Sequence, residues 1–206
     1  MGFSTIIDIL GSIVVGGFLL LLLARIDDQS VKNIYNNSEE LILQQNLATL
    51  SSIIETDFRR IGYCKNYNLI PKTDFIVSAT DSSISFKTDV YDQGVVDILK
   101  YYIGPKSELA SSPNPRDRFL YRVVNNDTPV GVNLGVTQFR LVYFDVYGDT
   151  LHFPITDRSL ISSMEINLGV ENVVGYGDAS LKGGDDMYSS AFWRQIRLAA
   201  MNLQKR

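Results

Sequence analysis

The chain has one cysteine, Cys64, and one histidine, His152, in 206 residues. One thiol cannot close an intramolecular disulfide, so Cys64 reads as a buried, inert side chain. One imidazole and one thiol also leave nitrogen- and sulfur-rich zinc sites and Cys-His catalytic pairs without donors. A formal net charge of −4 with scattered basic residues gives no footprint for nucleic acid. No G-x-S-x-G, phosphate loop or H-E-x-x-H occurs, and Glu55 and Asp57, two apart on a helix, face different directions. An enzyme is therefore not expected. Residues 25–60 contain neither proline nor glycine, so nothing in them interrupts a helix.

The most marked presence is at the N-terminus. Residues 3–24 are almost wholly apolar, with Asp8 the one formal charge. As a helix this run measures roughly 33 Å, enough for a bilayer core of about 30 Å. It lacks the basic leading segment of a secretory signal, and Ile6 stands where N-myristoylation needs Ser or Thr. The expectation is a membrane anchor. Arg25 and Lys32 follow the span and no basic residue precedes it, so positive-inside asymmetry alone would favour the wrong side for an exported domain.

Beyond the span, Leu43, Leu47, Leu50, Ile54, Phe58 and Ile61 recur with the helical period, flanked by Gln44, Gln45, Ser51, Ser52 and Glu55. Gly62 is the expected C-terminal cap, with Arg59 and Arg60 at the negative end of the helix dipole. One continuous helix or two, broken near Asp27-Asp28 or Tyr35 to Ser38, both fit this pattern.

From Tyr63 the period changes to two. Strands are expected at 73–79 and 83–88, joined by a hairpin at 80–82, then at 95–103, 119–124, 136–146, 150–153, 160–174 and 190–199, although 194–203 also reads as helix. The segment 107–116, with Ser-Ser-Pro-Asn-Pro, reads as a loop. In 136–146, Val136, Gln138, Arg140, Val142 and Phe144 should share one side, and Thr137, Phe139, Leu141 and Tyr143 the other. The fold class is thus α+β, a long N-terminal helix packed on an antiparallel sheet of about six to eight strands. Its parts are a transmembrane segment (1–24), an amphipathic half-helix (25–62) and a β-rich globular domain (63–206).

Several stretches sharpen this reading: Gly2-Phe3-Ser4-Thr5-Ile6; LSSIIETDFRRIGY at 50–63; I-x-F, D-x-G and DILKYYI within 83–103; VTQFRLVYFDVYGD at 136–149; and Trp193-Arg194 through Met201-Asn202-Leu203. Together they resemble the type IV pilin-like superfamily, in its PilW-like minor pilins and type II secretion pseudopilins. The resemblance implies a structural subunit that starts or caps a pilus or pseudopilus. It also implies cleavage between Gly2 and Phe3 by a prepilin peptidase and N-methylation of Phe3. The implied partners are sibling pilins or pseudopilins, an inner-membrane assembly platform and the lipid bilayer. Location would be the inner membrane, with the β-domain on its periplasmic or extracellular side.

The sequence departs from the family in two places. The leader before the junction would be Met1-Gly2 alone, without basic residues. The family's Glu at the fifth position after the cut is Ile7 here, and the nearest carboxylate is Asp8, rotated by about 100° on a helix. Asp8 has two readings, an intersubunit partner for a free amino terminus or a hydrated group at the membrane surface. Gly11, Ser12, Gly16 and Gly17 put small residues on the span, with Ser12 and Gly16 at helix-packing spacing.

Some pseudopilins hold calcium, which brings three acidic turns into view: 89–97, 145–149 and 178–186, the last with Asp185 and Asp186. None follows the D-x-D-x-D-G pattern, and solvated turns are the favoured reading. No cofactor is expected. A stationary single-pass binding module and a membrane-tethered hydrolase are the alternatives from other functional classes. The hydrolase would need a polar pocket that the sequence does not show.

Overall fold

A computed structural model describes residues 3–71, 74–173, 188 and 190–198, with the backbone alone for 3–5, 190 and 194–198. The chain is α+β and divides into two units, Met1–Leu41 and Ile42–Arg206.

Helix α1, Phe3–Arg59, runs unbroken through both proposed break points, Asp27-Asp28 and Tyr35 to Ser38. In the first unit it is the whole described structure. Its apolar side chains from Ile6 to Leu23 are exposed, and it is long and apolar enough to cross a membrane. In the second unit the same helix becomes amphipathic. Leu43, Leu47, Leu50, Ile54 and Phe58 are buried, and Ile61 continues the stripe past the helix end. Glu55 and Arg59, one turn apart, form an ion pair on the exposed side.

The helix stops because Gly62 turns left-handed at φ +71°. Its N–H then donates to the carbonyl of Lys87 at 2.9 Å, while Thr88 Oγ1 donates to the carbonyl of Arg60. The cap is thus fastened to a strand, which fixes where the sheet lies under the helix.

Among the described residues eight strands follow, in two antiparallel sheets where one was expected. The first is a meander in the order β1 (Ile76–Ala79), β2 (Ser83–Thr88), β3 (Asp97–Ile103), β4 (Leu120–Val124) and β5 (Val130–Val132). The second contains β6 (Val136–Phe144), β7 (Ser163–Glu171) and β8 (Ser190–Leu198). The expected hairpin at 80–82 is present between β1 and β2. Strand β5 had no counterpart in the sequence reading. Conversely, the expected strand at 150–153 reduces to one bridge, Phe144 to Thr150. The loop 107–116 begins with a short 3-10 turn, Lys106–Leu109.

The two-sided reading of β6 needs one correction. A register shift between Val136 and Gln138 puts Val136 on the buried side with Phe139, Leu141 and Tyr143. Those residues join Met164, Ile166, Leu168 and Val170 of β7, the inner face of the first sheet and the α1 stripe in one continuous core. Phe58 sits at its centre, 5.5 Å from the ring centroids of both Phe86 and Tyr101. The sheets are tied edge to edge: Leu141 N donates to Asp81 O, Arg118 N to Val136 O, and the Tyr143 hydroxyl to Thr80 O.

Candidate functional site

The residues singled out on the span, Asp8, Gly11, Ser12, Gly16 and Gly17, are helical. Asp8, Gly11, Ser12 and Gly17 are exposed. A Cβ added at Gly11, Gly16 or Gly17 would meet nothing within 4 Å, so these glycines are open for approach by another helix. Ser12 Oγ donates to the carbonyl of Ile9 at 2.8 Å, which turns its hydroxyl into the helix and presents the Cβ outward. The same back-bonding recurs at Ser38, Thr49, Ser51 and Thr56. Phe3 opens α1, with only its backbone described. Gly2, Asp185 and Asp186 lie outside the described residues.

Three polar clusters are built into the second unit. In the first, Asp57 leaves the exposed flank of α1 and reaches the first sheet. It accepts from Arg122 Nε at 2.7 Å and Nη2 at 3.3 Å, and from the Tyr101 hydroxyl. Burial and then the Asp57 carboxylate push the Tyr101 hydroxyl far above the ordinary tyrosine range. The hydrogen bond to Asp57 holds the Arg122 guanidinium in its charged form.

The second cluster overturns the expectation of a solvated turn at 89–97. Asp89 is 0 % exposed and Asp97 is 7 % exposed. The Asp89 carboxylate accepts from the backbone N–H of Gly94 at 2.7 Å, Gln93 at 2.9 Å and Lys65 at 3.2 Å. Burial alone would raise its pKa, but these three donors, with Arg60 beside them, hold it below the ordinary carboxylate value. Asp97 accepts from Val90 N and Asn125 Nδ2. Arg60 completes the turn by donating to the carbonyls of Asp89 and Val90 and to Asp92. Three of the roughly four acceptor sites of this carboxylate are thus taken up by backbone N–H groups of its own turn and of Lys65. Asp145 is similar, accepting from the N–H groups of Tyr147 and Asp149.

The third cluster lies where the 112–117 turn meets the end of β7. Buried Asn114 donates to Glu171 Oε2 and to the carbonyl of Asn172, and Arg116 Nε donates to the same Glu171 oxygen at 2.8 Å. Asp117, 1 % exposed, accepts from Ser112, while its Oδ1 has no hydrogen-bond partner. Burial raises the Asp117 pKa, Ser112 offsets part of this, and Glu171 adds to it.

The first and third clusters were not legible in the sequence, because each joins segments far apart in the chain, and the second showed there only as the acidic turn at 89–97. Among the described residues no three His, Cys, Asp or Glu side chains converge as a metal site. Cys64 is buried and free, as expected. In the first two clusters the carboxylates are spent on the N–H, O–H and guanidinium groups that hold loops and helix to the sheet. Comparison with protein-family models, curated proteins and solved structures finds no match for this chain.

Proposed function

We propose that the chain is a minor pilin or pseudopilin, a structural subunit that initiates or caps a type IV pilus or a type II secretion pseudopilus. The observation that carries this reading is the division of labour along α1. One uninterrupted helix supplies an exposed, apolar, glycine-bearing stretch over 6–24 and then the buried stripe Leu43 to Phe58 of a β-rich domain. A subunit that waits in a membrane and later packs into a filament needs both in one continuous helix. The first half must be acceptable to lipid and to other helices in turn, since lipid tails and Leu side chains are equally apolar.

In this proposal the span holds the subunit in the inner membrane, with the β-domain on the periplasmic or extracellular side. A prepilin peptidase cleaves before Phe3, and an assembly platform lifts the helix among those of sibling subunits. Gly11, Ser12, Gly16 and Gly17 let neighbouring backbones approach. Asp8 neutralises a neighbour's free amino terminus and so sets register. The hydroxyls turned back onto α1 favour the same use, since a helix with internally satisfied Ser and Thr can enter an apolar bundle without stranding donors.

The test is the mass of the N-terminal peptide from native membranes. A chain beginning at N-methylated Phe3 supports the reading. A chain retaining Met1 or Gly2 overturns processing and leaves a fixed, single-pass anchor.

A further inference from the structure

A helix that anchors a folded domain in a membrane passes any pull between the two along its own axis. Helix α1 is long and apolar enough for such an anchor, and its docked half is attached to the strands in two different ways. Residues 42–56 are held by burial, with Leu43, Leu47, Leu50 and Ile54 in the core. Among the described residues no hydrogen bond or ion pair joins 42–56 to a strand. Thr49, Ser51 and Thr56 donate to carbonyls of α1 itself, and Glu55 pairs with Arg59.

Past residue 56 the attachment changes character. Asp57 accepts from Arg122 and Tyr101, and Arg60 donates to the carbonyls of Asp89 and Val90. Thr88 Oγ1 donates to the Arg60 carbonyl at 2.9 Å. Gly62 N donates to Lys87 O at 2.9 Å, and Asp89 N to Tyr63 O at 2.8 Å. The short segment 57–63 is thus bonded to β2, β3 and β4 and to the turn that follows β2. Those strands are the middle three of the first sheet and pair with one another, so a pull on any of these bonds is shared among them.

The two attachments answer force differently. An apolar contact has no direction and its energy follows area, so a helix displaced by about an ångström exchanges neighbours at little loss. A hydrogen bond is confined to roughly 2.7–3.2 Å, and the same displacement removes most of its energy. Energy lost over a short distance is a large opposing force. We infer that 57–63 is a mechanical fastening, which sets the force at which α1 separates from the first sheet. The stripe from Leu43 to Ile54 supplies stability at rest and yields under load. A fixed anchor and a filament subunit load α1 alike, so the inference does not rest on the assembly reading.

The experiment applies constant force, by optical tweezers, to the full chain in detergent micelles. Handles are attached through Gln45→Cys on α1 and Asp127→Cys beyond β4, both exposed positions, while the native Cys64 is buried and stays unlabelled. Asp57→Ala and Thr88→Val remove polar bonds, Leu47→Ala and Leu50→Ala remove apolar area, and urea unfolding ranks all four. Thr88→Val keeps the outline of its side chain, so the comparison survives if Asp57→Ala does not fold. At equal loss of urea stability, the polar variants are expected to separate under force about tenfold or more faster than the apolar ones. Separation rates that follow urea stability alone, with polar and apolar variants on one line, overturn the inference. A first extension step that matches the opening of β1 from β2, with α1 still docked, also overturns it, because the sheet would then yield before the fastening.

Discussion

Arg122 Nε donates to Asp57 Oδ2 across 2.7 Å, joining a helix residue to a strand residue 65 positions later. The Tyr101 hydroxyl donates to the same oxygen, so one carboxylate holds α1 to β3 and β4 together. Asp57 lies one residue before Phe58, whose ring fills the core between Phe86 and Tyr101. Apolar packing sets how far the helix stands from the sheet, and the ion pair sets its rotation.

Removal of that carboxylate should therefore cost more than a surface salt bridge. Asp57→Ala is expected to lower stability by about 2–3 kcal/mol, because it strands a partly buried guanidinium and a buried hydroxyl. The double variant Asp57→Leu with Arg122→Met should lose less than Asp57→Ala alone. Urea unfolding of the full chain in micelles, followed by near-ultraviolet circular dichroism, measures both. Equal losses would show that the cluster adds little beyond its apolar contacts.

Two buried carboxylates should respond to pH in opposite directions. Asp117 binds its proton more tightly in the fold than its ordinary value of 3.8, so stability falls as pH rises through the interval above 3.8. Asp117→Asn should then be more stable than the parent at neutral pH, with the gain vanishing in acid. Asp89 has a lowered value, so its contribution is present above 3.8 and is lost as pH falls below it. Asp89→Asn should lose several degrees of thermal midpoint at neutral pH, because an amide nitrogen would oppose backbone donors, and its deficit should shrink in acid. Melting curves between about pH 3 and 7 separate the two signs.

What the sequence disclosed, and what it hid, follows from the range of the interactions. The α1 stripe Leu43 to Ile61 and the cap at Gly62 were readable, because helical period and a left-handed turn are local properties. Asp89 was read as solvated, because composition does not show that a carboxylate turns inward onto Lys65, Gln93 and Gly94. Strand β5 was missed for a related reason. Val-Gly-Val between Pro129 and Asn133 has no period of its own and is a strand only because β4 offers it an edge. The register shift at Val136 likewise depends on β7, and the division into two sheets depends on where β6 meets Asp81 and Arg118.

Gly62 offers a sharper test of the helix terminus. At φ +71° it holds a backbone conformation that L side chains rarely adopt, and a Cβ would approach the Phe75 ring to 2.6 Å. Gly62→Ala should cost about 1–3 kcal/mol through strain and the displaced ring. A thermal midpoint within a degree of the parent would mean that the Phe75 ring yields without loss.

Gly16→Leu distinguishes assembly from anchoring without disturbing the fold. A Cβ there meets nothing within 4 Å, and leucine makes the span more apolar, so membrane insertion and the melting curve should be unchanged. A neighbouring helix that approaches through Gly16 would instead meet an isobutyl group where it now meets backbone, and close packing would be lost. Recovery of the chain in sheared filaments or in cross-linked pseudopilus fractions should then fall by about tenfold or more, with the membrane pool retained. Recovery equal to the parent would mean that no helix packs at Gly16, and the glycines of the span would need no partner to explain them.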